Sequence, residues 1–203
     1  MKHPADGHSV EHRSTDGLPT VTLASPAGLE ATFAPGVGMV GCSLRHHGEE
    51  LLETRGGLAH HAHERNTMGI PLLHPWANRL SELRFAVAGR EVNLDKDSPL
   101  LSLDPNGLPI HGLLAAAPWW RVLEAGAGAD EARLVASLDF AAEPELIAAF
   151  PFPHRLEITV SLRDSVLSHT TTLIATGDSP VPVSFGYHPY FRLPGEPAAR
   201  WRI

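Results

Sequence analysis

Three short segments of the chain carry residue types that suit the binding of a polar ligand and the movement of protons. In the first segment Asn78 stands directly before Arg79, whose planar guanidinium presents several N–H groups in a rigid fork. Such a fork suits sugar hydroxyls and carboxylates, although an arginine exposed on a loop is the ordinary case. In the second segment His111 stands before Gly112, which leaves one side of an imidazole that titrates near neutral pH uncrowded. A hydrogen-bonded structural histidine is the alternative there.

The third segment, SFGYHPYFRLPG over residues 184–195, concentrates aromatic rings. Pro189 biases His188 toward an extended backbone, from which its ring can project at the end of a strand. Aromatic faces suit the C–H faces of a sugar, and the histidine can supply proton chemistry. We therefore expect His188 to take part in catalysis and Tyr190 and Phe191 to contact a substrate.

The elements that position these segments read as strands. Turn residues at 26–28 and 88–90 each separate two short apolar runs, as in a β-hairpin. Later runs alternate apolar with polar residues, over 133–140, 155–162 and 166–174. No stretch of ten or more residues has a clean helical period, and no strand–helix–strand alternation is visible. About ten short strands therefore predict an all-β fold with antiparallel pairing, either a sandwich or a barrel, of which we favour the sandwich.

The length of 203 residues predicts one domain. Residues 1–18 are polar and lack periodicity, so we expect a disordered tail, followed by a single β-sandwich domain over residues 19–203. Stretches poor in strand pattern and rich in unusual residues are where function is expected, over 46–82, 104–120 and 184–195.

Charge and hydropathy exclude several classes of partner. With 16 Lys and Arg against 23 Asp and Glu, the net charge is −7, and no basic block suits a nucleic acid. No apolar run is long enough to span a membrane, and no secretion signal is present, so we expect a cytoplasmic protein whose partner is a small molecule. Cys42 is the only cysteine and cannot form an internal disulfide.

Two patterns that could indicate a metal or a cofactor are weak. His60, His61 and His63 precede Glu64, but a structural zinc site needs four well-placed donors, so a flexible, solvated loop is the preferred interpretation. Glycines in a GxGxxG pattern over residues 36–41 precede no predicted helix, so we attribute that match to chance. We therefore expect neither a metal nor a cofactor.

The segments PLLHPWANRL, IHGLL and FGYHPYFRLPG, in that order, resemble the aldose 1-epimerase (galactose mutarotase) family. The resemblance covers roughly residues 20–203 and implies a large antiparallel β-sandwich with a sugar-binding groove. It implies substrate binding by Arg79 and its neighbour Asn78. It also implies that His111 binds and polarises the sugar, and that His188 is the general acid that protonates the ring oxygen. The implied reaction interconverts the α and β anomers of a hexose without a cofactor.

The general base that the resemblance implies is a Glu well past the third motif, whereas this sequence stops at Ile203. We consider three explanations: a truncated or frameshifted enzyme, a protein that binds sugar without turning it over, or another acid such as Glu64 or Asp104 as the base. A sandwich without its final strands would expose an unpaired edge, so we expect this chain to be aggregation-prone or marginally stable.

Three functions are consistent with the sequence. The first is a mutarotase that is impaired by the lack of that Glu. The second is a non-catalytic carbohydrate-binding protein, which would keep the aromatic residues and Arg79 but need no acid or base. The third is a hexose-6-phosphate 1-epimerase, for which Arg45, Arg55 and Arg65 are candidate phosphate-binding cations.

Overall fold

The protein is described by a computed structural model, which covers residues 7–202. Its strands are β1 (Ser9–Thr15), β2 (Leu18–Ala24), β3 (Leu29–Ala34), β4 (Val40–His46), β5 (Glu49–Glu50), β6 (Leu72–Leu73), β7 (Arg84–Val87), β8 (Arg90–Asn93), β9 (Ser102–Leu103), β10 (Pro109–Ile110), β11 (Arg121–Ala127), β12 (Ala132–Asp139), β13 (His154–Arg163), β14 (Val166–Ala175) and β15 (Gly186–Tyr187). The α-helices are α1 (Leu58–Glu64) and α2 (Pro144–Ala149), and two single 3₁₀ turns lie at Phe140–Ala142 and Ala198–Arg200. None of these helices is long and apolar enough to cross a membrane.

Two antiparallel sheets make up most of the fold. β1 to β5 form one sheet in chain order, and β11 to β14 form the other, also in chain order. Buried side chains from both sheets form the main hydrophobic core, to which β3 contributes Phe33 and β13 contributes Leu156 and Ile158. The Ser25 hydroxyl donates to the carbonyl oxygen of Asp164 at 2.5 Å and joins the turns of the two sheets. The predicted antiparallel β-sandwich is therefore confirmed.

The predicted hairpins are confirmed, because their turn residues adopt the backbone conformations that tight turns require. Between β2 and β3, Gly28 has a φ of 80°. Between β7 and β8, both Ala88 and Gly89 have positive φ, as in a two-residue type I′ turn. Asp164 at 47° begins the turn between β13 and β14. These turns set the register of the long strand pairs.

The predicted disordered tail over residues 1–18 is wrong where the structure describes it. β1 pairs with β2 along its whole length, from Ser9 opposite Ala24 to Thr15 opposite Leu18. β1 lies at the edge of its sheet and most of its side chains are exposed, so its sequence carries no apolar alternation. Residues 1–6 lie outside the described residues.

The histidine-rich segment is a short helix, α1, and not the solvated loop that its sequence suggested. The carboxylate of Asp16, in the β1–β2 turn, accepts hydrogen bonds from the backbone N–H groups of Leu58 at 2.7 Å and Ala59 at 3.3 Å. This long-range cap at the start of the helix is invisible in the local sequence. His61 is fully buried and its Nδ1 hydrogen-bonds the carbonyl oxygen of Asn66. Within residues 7–202 no group of three or more His, Cys, Asp or Glu side chains is arranged to hold a metal ion.

A pair of histidines lies in the core. His74 and His154 are both fully buried, and their Nε2 atoms lie 2.9 Å apart. The Nδ1 of His154 lies 2.6 Å from the carbonyl oxygen of Phe152, and the ring of Phe140 stacks on His154. This pair is a core contact in which the apolar surroundings favour neutral rings.

Candidate active site

The first and third motifs lie side by side in the structure. β6 pairs antiparallel with β15, so that Leu72 faces Tyr187. Beyond this short ladder, the backbone N–H of Tyr190 donates to the carbonyl oxygen of Gly69 at 2.8 Å. The segment that carries His188 is therefore held against the segment that leads to Arg79.

The second motif joins the first through its backbone. The N–H of His111 donates to the carbonyl oxygen of Asn78 at 3.1 Å, and Arg79 forms a β-bridge with Ile110. On the other side of His111, the N–H of Leu113 donates to the carbonyl oxygen of His74 at 2.8 Å. All three motifs therefore converge on one region of the fold.

Gly112 is required by this close approach. Its φ is 75°, and a Cβ atom placed on it would lie 2.1 Å from the carbonyl oxygen of His74. His111 also has a positive φ, of 66°. The glycine after His111 therefore serves the packing of two backbone segments, rather than only leaving space beside the histidine ring.

The rings of His111 and His188 meet in the centre of the site. Their centroids lie 5.5 Å apart and their planes are inclined at 63°. Tyr190 stacks on His188 with a centroid distance of 4.7 Å, and the guanidinium carbon of Arg55 lies 4.3 Å from the centroid of Tyr190. His111 thus meets the second imidazole edge-on, the phenol stacks on that imidazole, and the cation covers the phenol.

The electrostatic surroundings favour neutral His111. Partial burial lowers the pKa of His111, and the nearby groups of His188 and Arg79 lower it further. A neutral imidazole at physiological pH can both donate and accept a hydrogen bond. His111 therefore suits the polarisation of a sugar hydroxyl better than it suits charge pairing.

Arg79 is held by an ion pair that the sequence did not indicate. Its Nε lies 2.5 Å from Oδ2 of Asp104. Oδ1 of Asp104 accepts from the backbone N–H groups of Asn106 at 2.8 Å and Leu108 at 2.9 Å. The bond from Leu108 and the bond from Arg79 lower the pKa of Asp104. The sequence Asp-Pro-Asn-Gly predicts a turn. It does not predict that Asp104 contacts Arg79, which lies 25 positions earlier in the chain.

Neither acid that was considered as a substitute base has the required setting. A carboxylate of depressed pKa that accepts three hydrogen bonds is a weak proton acceptor, which argues against Asp104. Glu64 lies on the exposed side of α1, where it contacts His63. Both residues are therefore poor candidates for a general base.

The remaining predicted residues occupy the margin of the site. The side chain of Asn78 is exposed, and the contribution of this residue to the described site is its backbone carbonyl. Phe191 is 54% exposed, and its backbone forms a β-bridge with Leu52. Its ring borders a hollow that Tyr190 and Arg55 also line. The structure thus brings His111, His188, Tyr190 and Arg79 together and leaves Phe191 beside them.

A family model described as aldose 1-epimerase matches residues 19–203. No curated protein matches the sequence at a significant level.

Several solved structures share the fold. A galactose mutarotase-like protein from Clostridium acetobutylicum is 21% identical, with a TM-score of 0.79, and the match covers 94% of this chain and 56% of that one. A similar protein from Lactobacillus casei is 18% identical, with a TM-score of 0.62, covering 89% and 52%. Galactose 1-epimerase from Lactobacillus acidophilus is 18% identical, with a TM-score of 0.61, covering 82% and 48%. The chain therefore spans about half the length of the solved structures that it matches.

Proposed function

Because the chain belongs to the aldose 1-epimerase family, we propose that it binds a hexose at the three motifs and interconverts its α and β anomers. The observation that carries this proposal is the distance of 5.5 Å between the ring centroids of His111 and His188, with Arg79 and Tyr190 beside them. A sugar that lies on this surface can meet an acid, a neutral hydrogen-bonding imidazole and a guanidinium at once.

The proposed reaction needs one group that accepts a proton and one that donates a proton. A base takes the proton of the anomeric hydroxyl, the bond between C1 and the ring oxygen breaks, and His188 delivers a proton to that oxygen. Rotation about the bond between C1 and C2 and reversal of these steps close the ring as the other anomer. His111 hydrogen-bonds the sugar and polarises it, while Arg79 binds hydroxyl groups.

The four residues of this proposed site include no carboxylate that could act as the general base. Among residues 7–202, Asp104 is the only acid whose carboxylate pairs with Arg79, His111 or His188. We therefore propose that turnover by these 203 residues is impaired relative to a site that also presents a free carboxylate.

Polarimetry tests the proposal directly. Freshly dissolved α-glucose or α-galactose is followed with and without the protein, and Trp fluorescence reports sugar binding in parallel. Faster equilibration of the anomers with the protein than without it supports mutarotase activity. An unchanged rate with a sugar-dependent change in fluorescence leaves the non-catalytic carbohydrate-binding protein, and no response in either measurement rejects both functions.

One observation favours a phosphorylated sugar as a second candidate. Arg55 lies on the face of Tyr190 and, within the described part of the chain, forms no ion pair. By contrast, Arg45 pairs with Glu50, and Arg65 donates to the carbonyl oxygen of Leu113. Inhibition of α-glucose mutarotation by glucose 6-phosphate that is lost in Arg55→Ala supports this candidate, and equal inhibition of both proteins contradicts it.

A further inference from the structure

The pair of Arg79 and Asp104 is asymmetric in its exposure. The carboxylate side chain is 1% exposed, whereas the arginine side chain is 44% exposed. The acid is thus fixed within the protein, and the guanidinium extends from it toward solvent. This is the arrangement of an anchor and a ligand-facing group, and it differs from a surface ion pair in which both partners are free to move.

The hydrogen bonds of the pair also assign each atom a role. Oδ1 of Asp104 binds the backbone N–H groups of its own loop, and Oδ2 binds Nε of Arg79. The terminal nitrogens Nη1 and Nη2 of Arg79 have no hydrogen-bond partner among residues 7–202. They are the donors of the guanidinium fork that are available to a sugar hydroxyl.

The loop of Asp104 also leads directly to His111. It connects β9 to β10, and Ile110 at the end of β10 forms the β-bridge with Arg79. The backbone N–H of Leu80 donates to the carbonyl oxygen of Pro109 at 2.9 Å. A single short hairpin therefore holds the guanidinium through Asp104 and the imidazole through its own backbone.

We propose that Asp104 is a positioning residue that orients the guanidinium fork of Arg79 toward the sugar. This inference rests on the proposed function. Asp104 touches no substrate in this scheme and acts through Arg79. A charge-assisted hydrogen bond of this kind commonly changes an equilibrium by about 10-fold or more when it is lost.

The test is a double-mutant cycle on sugar affinity and turnover. Asp104→Asn keeps the size of the side chain and an oxygen for the loop amides, but removes the charge that faces Nε. We expect it to raise the KM and the Kd for galactose or glucose by about 10-fold while kcat changes less than about 3-fold. We expect Arg79→Ala to raise them at least as much, and the double variant to match Arg79→Ala alone.

The control is Asp130→Asn, which makes the same charge change in the exposed β11–β12 turn and should leave KM unchanged. Unchanged affinity in Asp104→Asn, or effects of the two single variants that multiply in the double variant, would overturn the inference. If Asp104→Asn does not fold, Arg79→Lys replaces it, because it keeps the charge and the loop but lacks the Nε donor. A wild-type KM in that variant contradicts the proposal.

A measurement without sugar separates this inference from the proposed function. In nuclear magnetic resonance spectra, the Nε proton of Arg79 should exchange with water more slowly than that of Arg55, and Asp104→Asn should abolish the difference. Equal exchange rates of the two Nε protons in the wild type would contradict the proposal that Asp104 fixes Arg79. A slow Nε proton in a protein that binds no sugar rejects the proposed function and, with it, the role of Asp104 toward a ligand, while the ion pair itself stands.

Discussion

At the scale of single residues, protonation states decide what the histidines of this protein can do. The Nδ1–H of His154 donates to the carbonyl oxygen of Phe152, so its bare Nε2 accepts from the Nε2–H of His74. A proton added to His154 would bring two N–H groups face to face. Burial and the neighbouring His154 lower the pKa of His74 to about 3, and burial also lowers the pKa of His154.

Acid should therefore destabilise the fold through this pair. The unfolded chain takes up protons on histidine near pH 6.5, whereas folded His74 does so only near pH 3. Stability is thus lost as the pH falls below about 6.5, by up to about 1.4 kcal/mol per pH unit for each such histidine. Urea denaturation between pH 7.5 and 5 measures this slope. His74→Phe should reduce it and His63→Phe, on the exposed side of α1, should not; equal slopes in both would contradict the assignment.

A second prediction at this scale concerns His188. This side chain is exposed, so His188→Ala should fold and melt like the wild type while kcat for mutarotation falls by about 10²–10⁴-fold. Polarimetry gives the rate, and circular dichroism gives the melt. His60→Ala, another exposed histidine, is the control and should keep wild-type activity. Loss of folding in His188→Ala would indicate a structural role instead.

At the scale of elements, backbone contacts between segments distant in sequence build the site. β6, β10 and β15 are each two residues long, yet they bring the three motifs together. The hairpin of β2 and β3 was predictable because its apolar runs and turn glycine are local. The start of α1 was not, because its cap comes from Asp16.

The same distinction applies to the candidate site. His111, His188 and Arg79 were identifiable from residue chemistry and from the resemblance, since each lies in a distinctive local motif. The partner of Arg79 was not, because Asp104 reaches it only after the chain folds back. The sequence also gives no indication that Arg55 stacks on Tyr190, because the two residues are far apart in the chain.

Two glycines near the site provide a matched test of these backbone contacts. Gly112 and Gly107 have φ values of 75° and 78°, but only a Cβ at position 112 meets a neighbour, the carbonyl oxygen of His74. Gly107→Ala should cost about 1–2 kcal/mol from its backbone conformation alone. Gly112→Ala should cost roughly 3 kcal/mol or more because the clash adds to that cost. Chemical denaturation measures both, and equal losses would contradict the close approach.

At the scale of the whole molecule, β14 presents an open sheet edge. It pairs with β13 on one side, and within residues 7–202 no strand pairs along its other side. Several large apolar side chains are exposed elsewhere on the same molecule, among them Val183 at 63% and Leu193 at 54%. Unpaired backbone groups and exposed apolar surface both promote association between chains.

A charge on this edge should reduce association. Thr172 is exposed on β14, and we expect Thr172→Lys to lower the rate of aggregation at micromolar concentration, because lysine on an edge strand disfavours further pairing. Thr159→Lys is the control, since it adds the same charge on β13, which is paired on both sides. Light scattering over a concentration series compares them. A monodisperse wild-type monomer with a cooperative melt would contradict the expectation.

The carboxylate of Asp16 belongs to the tight turn of the first hairpin, yet it caps the start of a helix about forty positions later. This side chain links the β1–β2 hairpin to α1. The chain continues from α1 to Gly69, whose carbonyl oxygen accepts from the backbone N–H of Tyr190. Fraying of this hairpin would remove the cap, so we expect it to destabilise α1 and the segment that contacts Tyr190. We therefore expect the β1–β2 hairpin and the aromatic side of the site to lose structure together.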